Sequence, residues 1–188
     1  MGNRVRRNVD RRRVAWVAVA VLCVPLAAAM TVGSSGGTGS RARHASVELV
    51  DPSGSPVGSA KLVEDGSGRV HVNVHVQGMT PGKHGIHVHN VASCTSTATS
   101  FSGAGSHHNP NGLAHGSHAG DLPNLTVNGR GTGHLNVRVD GFALSGGTTS
   151  VFDADGSAVI VHAAEDDLVT DPTGNSGGRI ACGVVVEG

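Results

Sequence analysis

The most regular hydrophobic pattern in the chain lies in residues 69–77, RVHVNVHVQ, where apolar and polar positions alternate strictly. Four valines occupy one face of this stretch, and polar residues occupy the other. A period of two predicts a β-strand with one face in the core and the other toward solvent. His71 and His75 fall on the polar face, which indicates exposed strand residues; a surface metal site on this face is the alternative.

Shorter patterns of the same kind recur along the chain, and no stretch after residue 30 has the 3.6-residue period of a helix. They predict about eight short strands, joined by turns and by two long irregular segments at 91–120 and 163–178. The expected fold class is all-β: an eight-stranded antiparallel Greek-key β-barrel or sandwich with two long functional loops. The predicted strands are 45–50, 57–64, 69–77, 84–90, 121–128, 133–140, 157–162 and 179–186.

Composition supports this fold class and excludes one class of partner. The 188 residues include 29 glycines, while aromatic residues make up only 2%. The core must therefore be built from Val, Leu, Ile and Ala, which favours strands over helices. The net charge is zero. With neither a basic field nor aromatic stacking platforms, nucleic-acid binding is not expected.

The N-terminus is typical of an export signal. Arginine-rich residues 1–13 precede the apolar run 14–30, VAWVAVAVLCVPLAAAM. As a helix this run spans about 25 Å, slightly less than the roughly 30 Å hydrocarbon core. Residues 1–30 are therefore expected to be a cleaved signal peptide, with retention as a membrane anchor as the alternative. The protein would be exported, either secreted or held in the cell envelope.

A flexible Gly/Ser-rich linker is predicted at 31–44, and the folded domain at 45–188. Cys23 lies in the apolar run, which leaves Cys94 and Cys182 as an even pair. In an oxidising compartment this pair should form a disulfide, and two buried free thiols are the alternative.

The segment Ser106–Asp121, SHHNPNGLAHGSHAGD, is the first candidate for chemistry. Its glycines and proline rule out a regular helix, and ordering so polar a segment has a high entropic cost. His115, His118 and Asp121 recur every third residue, with His107 upstream. Three imidazoles and a carboxylate suit a tetrahedral zinc ion, which would order the segment. A solvated, disordered loop is the alternative.

A second set of histidines lies on the neighbouring predicted strands. His87 and His89 are two residues apart, so their side chains share one face, roughly 7 Å apart, and could bind one ion. His162 ends another strand just before the second long segment. The two sets give seven candidate ligands, too many for one tetrahedral zinc ion. Two neighbouring sites that share one ligand would use all seven, and a four-imidazole set favours copper.

Five stretches resemble, in their order along the chain, the signatures of the copper–zinc superoxide dismutase family of the exported bacterial type: GIHVH, AGSHHNP, HGSHAGDLPN, GSAVIVHAAEDDL and TGNSGGRIACGV. The resemblance covers residues 45–188. It implies dismutation of superoxide anion to oxygen and hydrogen peroxide in extracytoplasmic antioxidant defence. It also implies one redox-cycling copper and one structural zinc per subunit, bridged through a histidine.

The resemblance assigns a role to each candidate residue. His107 would be the bridge, taking up a proton and returning it, and the adjacent His108 suits this role less well. Arg179 would guide and hold the anion. The copper ligands implied are His87, His89, His107 and His162, and the zinc ligands implied are His107, His115, His118 and Asp121.

Supporting residues follow from the same resemblance. Asp166 matches a carboxylate that links a copper-side imidazole to a zinc-side imidazole. Cys94 and Cys182 match the family's disulfide within the domain. His84 matches a structural histidine that binds no metal. The family is often dimeric, so a homodimer is an open arrangement, and membrane contact is expected only through residues 14–30 if they are uncleaved.

Two segments depart from the family pattern. Residues 95–106 are longer than in compact cytosolic members, and their role is open. Residues 165–178 look short, contain no lysine and are acidic, so electrostatic steering should rest mostly on Arg179. The alternative to an enzyme is a non-enzymatic module that buffers or delivers copper or zinc. Such domains usually lose a copper ligand or the arginine, and all of these residues are present here.

Overall fold

The computed structural model describes residues 42–96 and 99–188, so the predicted signal or anchor and most of the predicted linker lie outside the described residues. Within the described part, no helix has the length and hydropathy that a membrane span requires. The described residues also include one helical turn, Ser102–Ala104. The strands are β1 (Arg43–Val50), β2 (Pro56–Glu64), β3 (Val70–Val76), β4 (Gly82–His84), β5 (Ile86–His89), β6 (Leu125–Val127), β7 (Gly133–Val139), β8 (Ala158–His162), β9 (Arg179–Val184) and β10 (Val186–Glu187).

The strands form one antiparallel sheet that returns on itself. Its order is β4-β6-β7-β3-β2-β1-β9-β8-β5, with the short β10 paired to β1. The two strands at the ends of this order are separated in sequence only by Gly85. Because β4 pairs with β6 while β5 pairs with β8, this one stretch of chain joins the two edges. The result is a nearly closed barrel, which leaves few exposed strand edges. The predicted all-β fold class is confirmed.

The alternation of apolar and polar residues that predicted β3 corresponds to side chains pointing alternately into and out of the barrel. Its four valines are at most 4% exposed, whereas His75 is exposed and His71 is partly exposed. The polar side of β3 therefore faces outward, as predicted. Aliphatic side chains from all the longer strands fill the interior, and Phe142 is buried among them. The core needs few aromatic residues because β-branched and Leu side chains supply most of the buried area.

A second, smaller apolar cluster lies apart from the main core, where the long segment that begins after Cys94 contacts the barrel. Phe101 and Ala104 are buried there against Ala158 and Ile160 of β8. A disulfide bond joins Cys94 to Cys182 of β9 at the same place. Residues 101–104 are thus packed against the barrel, and the disulfide fixes the chain at Cys94, next to the strands that carry His162 and Arg179.

Candidate metal centre

Backbone hydrogen bonds hold both ends of the 106–121 segment against β5. Val88 N donates to the carbonyl of Gly120 (2.9 Å), and His108 N donates to the carbonyl of Val88 (2.8 Å). A third bond joins the two ends to each other, from Gly120 N to the carbonyl of His108 (2.8 Å). A side chain at position 120 would overlap the carbonyl of Val88, so glycine is needed for this close approach. The sequence did not reveal this contact.

This attachment brings distant histidines together. His107 lies opposite His89, and Asp121 lies opposite His87, as isolated bridges to β5. His162 reaches the same place from β8, the hydrogen-bonded neighbour of β5. Four imidazoles thus offer ligand atoms within 4.8 Å of one another, and each of these residues is at most 5% exposed: His87, His89, His107 and His162.

In three of these four rings, a hydrogen bond at one nitrogen sets which nitrogen keeps a lone pair. His87 Nε2 donates to Asp166 Oδ2 (2.6 Å), His89 Nδ1 donates to the carbonyl of Gly105 (3.1 Å), and His162 Nδ1 donates to the carbonyl of Gly177 (3.2 Å). The other nitrogen of each ring is buried without a hydrogen-bond partner in the described structure, as is His107 Nε2. Buried acceptors are normally satisfied, so a convergent set of unsatisfied imidazole nitrogens fits a metal ion.

The pKa values of these rings agree with metal-ligating imidazoles. Burial, together with the neighbouring His107, lowers the pKa of His87 to about 3. Burial also lowers the pKa of His162 to about 4 and that of His89 well below its ordinary value. The rings are therefore neutral near pH 7, and neutral imidazole is the form that binds a metal.

A second group adjoins the first and consists of His107, His115, His118 and Asp121. The ligand atoms are close: His107 Nδ1 lies 3.0 Å from Asp121 Oδ1, and His118 Nδ1 lies 3.3 Å from the same oxygen. His115 Nδ1 lies 3.4 Å from Asp121 Oδ2. Ligands about 2.0 Å from a tetrahedral zinc ion are about 3.3 Å from one another, so these spacings fit zinc.

Asp121 is ionised in this surrounding. Burial raises its pKa, but the hydrogen bond from His107 and the nearby His115 and His118 outweigh burial and lower the pKa to about 2. The second group therefore provides three imidazoles and one carboxylate, which is a donor set typical of structural zinc.

His107 belongs to both groups. Its Nδ1 faces Asp121 and His118, while its Nε2 is buried among the first four imidazoles. Its ring stacks on that of His87 at a centroid distance of 3.9 Å. His108 is also buried, but its Nε2 lies 3.2 Å from the carbonyl of Thr149, and it belongs to neither group. His84, placed outside the ligand set by the sequence, is likewise buried and outside both groups.

Asp166 connects the two groups through one buried carboxylate, which is 2% exposed. Its Oδ2 accepts from His87 Nε2 (2.6 Å), and its Oδ1 accepts from His115 Nε2 (2.8 Å). Burial raises its pKa, yet the hydrogen bonds from His115 and His87 lower the pKa further, so the carboxylate is ionised. Asn124 holds the backbone of Asp166 with two reciprocal hydrogen bonds, of 2.8 and 2.9 Å.

Asn124 and two further supporting residues were missed by the sequence analysis. Asp171 accepts a hydrogen bond from the backbone N–H of His115 (2.6 Å), which joins the 163–178 segment to the 106–121 segment. Gly174 has a φ of 60°, and an added Cβ would overlap both Asp166 and His115. Only the "DP" and "TGN" turn residues around them hinted at a tight turn in the sequence.

Arg179 lies beside the first group, partly buried. Its guanidinium donates to the carbonyls of Phe101 (2.7 Å) and Gly105 (2.5 Å). The Gly105 carbonyl also accepts from His89, which places the arginine next to the four imidazoles. These two bonds use two of the five N–H groups of a guanidinium. Lys83, by contrast, is paired with Glu165 at 2.6 Å.

Comparisons with known proteins agree with this geometry. Residues 57–185 match the family model described as copper/zinc superoxide dismutase (SODC). Superoxide dismutase (Cu-Zn) 2 of Aquifex aeolicus (strain VF5) is 35% identical over 149 residues, which are 75% of this chain and 85% of that protein. The chain belongs to the copper/zinc superoxide dismutase family and is an oxidoreductase of that type.

Solved structures show the same similarity. A double mutant of a SOD-like protein from Bacillus subtilis has a TM-score of 0.70 at 36% identity, covering 75% of this chain and 96% of its own. Cu/Zn superoxide dismutase from Brucella abortus has a TM-score of 0.63 at 29% identity, with coverages of 75% and 98%. The fold and the family assignment therefore rest on both sequence and structure.

Replacement of Gly174 by alanine should disturb the metal centre. Gly112 is the matched control, because its φ of 61° is nearly the same but an added Cβ there meets open space. Both variants carry about 1–2 kcal/mol of backbone strain. Only Gly174→Ala should also displace Asp166 and His115. We expect a larger loss of unfolding free energy and of bound metal in Gly174→Ala, measured by denaturant titration and elemental analysis. Equal losses in the two variants would contradict this role.

Proposed function

We propose that the protein dismutes superoxide to oxygen and hydrogen peroxide with a copper ion that is bridged through His107 to a structural zinc ion. The observation that carries this proposal is the position of His107, whose two ring nitrogens face two different ligand groups. One of these groups contains only imidazoles, and the other adds a carboxylate. A bridged pair of unlike metals is the arrangement that satisfies both groups at once.

The copper ion would be held by the group of four imidazoles. Copper, when bound, supplies the one-electron oxidation and reduction that converts superoxide to its two products. The chain contributes neutral rings with their lone pairs already directed toward one point, because hydrogen bonds fix three of the four tautomers. This preorganisation lowers the entropic cost of binding the metal ion. The ligands proposed are His87, His89, His107 and His162.

The zinc ion would be held by His107, His115, His118 and Asp121. Four protein ligands leave a tetrahedral zinc ion without an open position, which makes the site structural and argues against a zinc hydrolase. The site would tie the tip of the 106–121 segment to Asp121 at its base. Asp171 and Asp166 support His115 from the other long segment.

His107 Nε2 is the atom that we propose takes up and returns a proton during turnover. It is buried without a hydrogen-bond partner, whereas Nδ1 of the same ring is held near Asp121 and His118. A proton at Nε2 would therefore lie among the copper-group imidazoles, where the substrate is expected to react. The fixed Nδ1 side keeps the ring in place while Nε2 changes its protonation state.

Arg179 is proposed to attract and orient the superoxide anion. Its two hydrogen bonds to backbone carbonyls hold the planar guanidinium beside His89 and leave further N–H groups for an anion. The nearby segment 163–178 contributes acidic residues, and Lys83 is already paired with Glu165. Steering would therefore depend mainly on this single arginine.

We also propose that the protein works outside the cytoplasm, secreted or held in the cell envelope. The disulfide between Cys94 and Cys182 supports an oxidising compartment, and the sequence of residues 1–30 supports export as a cleaved signal or an anchor.

Replacement of His162 by alanine separates an enzyme from a module that only binds metal. The wild type, loaded with copper and zinc, should contain the two metals near a one-to-one ratio and dismute superoxide. The variant should lose copper and activity while keeping zinc, because His162 belongs only to the first group. Exposed His44 gives a control, His44→Ala, that should change neither. Full copper occupancy without activity, or zinc alone in the wild type, would favour the metal-binding module.

Chelation and reduction together should release the 106–121 segment first. Its tip depends on zinc in our proposal, and the neighbouring 95–106 segment depends on the disulfide. The segment contains no Lys or Arg, so a nonspecific protease with mass spectrometry of the products is needed. Cleavage should begin between residues 106 and 121 in chelated, reduced protein and should be slower when either treatment is omitted. Cleavage that begins in β1–β3 would contradict this order.

Arg179→Gln should lower kcat/KM for superoxide by about tenfold at low ionic strength, because the steering charge is lost. The wild type should be slower than relatives with lysine-rich loops, and its rate should fall with added salt. The variant should respond less to salt because it lacks the charge that salt screens, with a Debye length of about 10 Å at 0.1 M. Arg179→Lys keeps the charge and should keep the salt response. Exposed Arg138 provides the control Arg138→Gln. Pulse radiolysis measures these rates, and equal salt slopes in wild type and Arg179→Gln would rule out steering by this residue.

A further inference from the structure

The metal centre accounts for only part of the chain's histidines. Of twelve histidines, six lie in the two ligand groups, and His84 and His108 are buried beside them. The other four lie on the outward side of the barrel wall formed by β1, β2, β3 and β7. Cross-strand pairing forms two rows on this face. One row runs His44, Val63, His71, Arg138, and the other runs Ser59, His75, His134. The four are His44, His71, His75 and His134.

His75 and His134 form a close pair on this face. They are direct partners across β3 and β7, and their rings are stacked with centroids 4.2 Å apart and planes inclined by 17°. Both side chains are exposed. Within the described part of the chain, neither ring has a hydrogen-bond partner. His71 differs, because its Nε2 is bound to Asn136 Oδ1 at 2.6 Å.

The spacing of this pair suits one metal ion. Metal–imidazole bonds of about 2.0 Å place two ligating nitrogens about 3–4 Å apart, depending on the angle at the metal. The ring centroids are 4.2 Å apart, so the two side chains are near enough to share an ion. The stacked rings must first turn about χ2 so that a nitrogen from each points to it, and this torsion is soft in histidine. Because paired strands hold the two backbones, little further ordering is required for binding.

The pair also opens onto a groove. A cavity of about 750 Å³ is lined by both histidines and by Glu48, Gln77 and Thr132, among others. Gln77 lies two residues after His75, just past the end of β3, and Thr132 lies two residues before His134, just before β7; both are exposed. An ion held by two imidazoles would keep positions open toward this groove for water or other ligands. Such a site exchanges its ion readily, unlike the closed zinc group.

We propose that His75 and His134 form a third metal site, for an exchangeable divalent transition metal with copper(II) bound most tightly. The preference follows from the order of affinities that nitrogen ligands show for first-row ions, in which copper(II) exceeds nickel(II) and zinc(II). The site lies on the outer face of the barrel wall and uses none of the residues of the proposed copper–zinc centre. The proposal is therefore independent of the proposed dismutase mechanism.

The test is a copper(II) titration of the full chain already loaded with copper and zinc. Calorimetry gives the number and affinity of added ions, and electron paramagnetic resonance separates a new copper(II) signal from that of the loaded centre. We expect one added ion per chain in the wild type. His134→Gln should bind it about 100-fold more weakly, because the second imidazole acts as an intramolecular ligand. His75→Gln should behave in the same way.

His71→Gln and His44→Gln are matched controls, since each removes one histidine from the same face but leaves the pair intact. Both should bind the added ion as the wild type does. All four positions are at least partly exposed, so thermal unfolding and dismutase activity should be unchanged and will show that each variant is folded. The proposal is overturned if the loaded wild type takes up no added copper, or if His134→Gln takes it up with wild-type affinity.

Discussion

The carboxylate of Asp166 accepts hydrogen bonds from two imidazoles that belong to different parts of the chain. His87 lies on β5, in the barrel wall, whereas His115 lies in the 106–121 segment, which has no regular structure. Both ligand groups depend on this one ionised, buried group, because it sets the tautomer of a ring in each. Burying a carboxylate is costly unless every lone pair is used. Here the two imidazoles and the N–H of Leu168 donate to the carboxylate oxygens, while Asn124 holds the backbone of the same residue.

The barrel gives this arrangement its rigidity. Five imidazole nitrogens in the two groups are buried without a hydrogen-bond partner in the described structure. These nitrogens fit metal ions, so the surrounding fold must hold the rings in a convergent arrangement. The nearly closed sheet, the apolar cluster under the 95–106 segment and the disulfide do so from three sides. Bound metal ions would then satisfy these imidazole nitrogens.

Sequence patterns predicted the strands well because alternation is a local property, and β3 displays it without interruption. The two ligand sets were also visible, since His, Asp and their spacing are chemical signals. The residues that position the ligands left no such signal. Gly120 permits contact with Val88, and Gly174 permits contact with Asp166 and His115, but each contact joins segments far apart in sequence. Asn124 likewise looks like any loop residue until the fold places it against Asp166. Turn-forming residues show where such loops lie in the sequence, whereas the contacts that the loops make depend on the tertiary structure.

The carbonyl oxygen of Gly105 accepts hydrogen bonds from both His89 and Arg179. A shift of that oxygen changes the orientation of a ligand ring and of the anion-attracting guanidinium together. Substitutions in residues 99–105 should therefore show epistasis with substitutions at either residue, even though the loop itself supplies no ligand. Residues 99–105 therefore influence the metal centre through hydrogen bonding although they contribute no ligand to it.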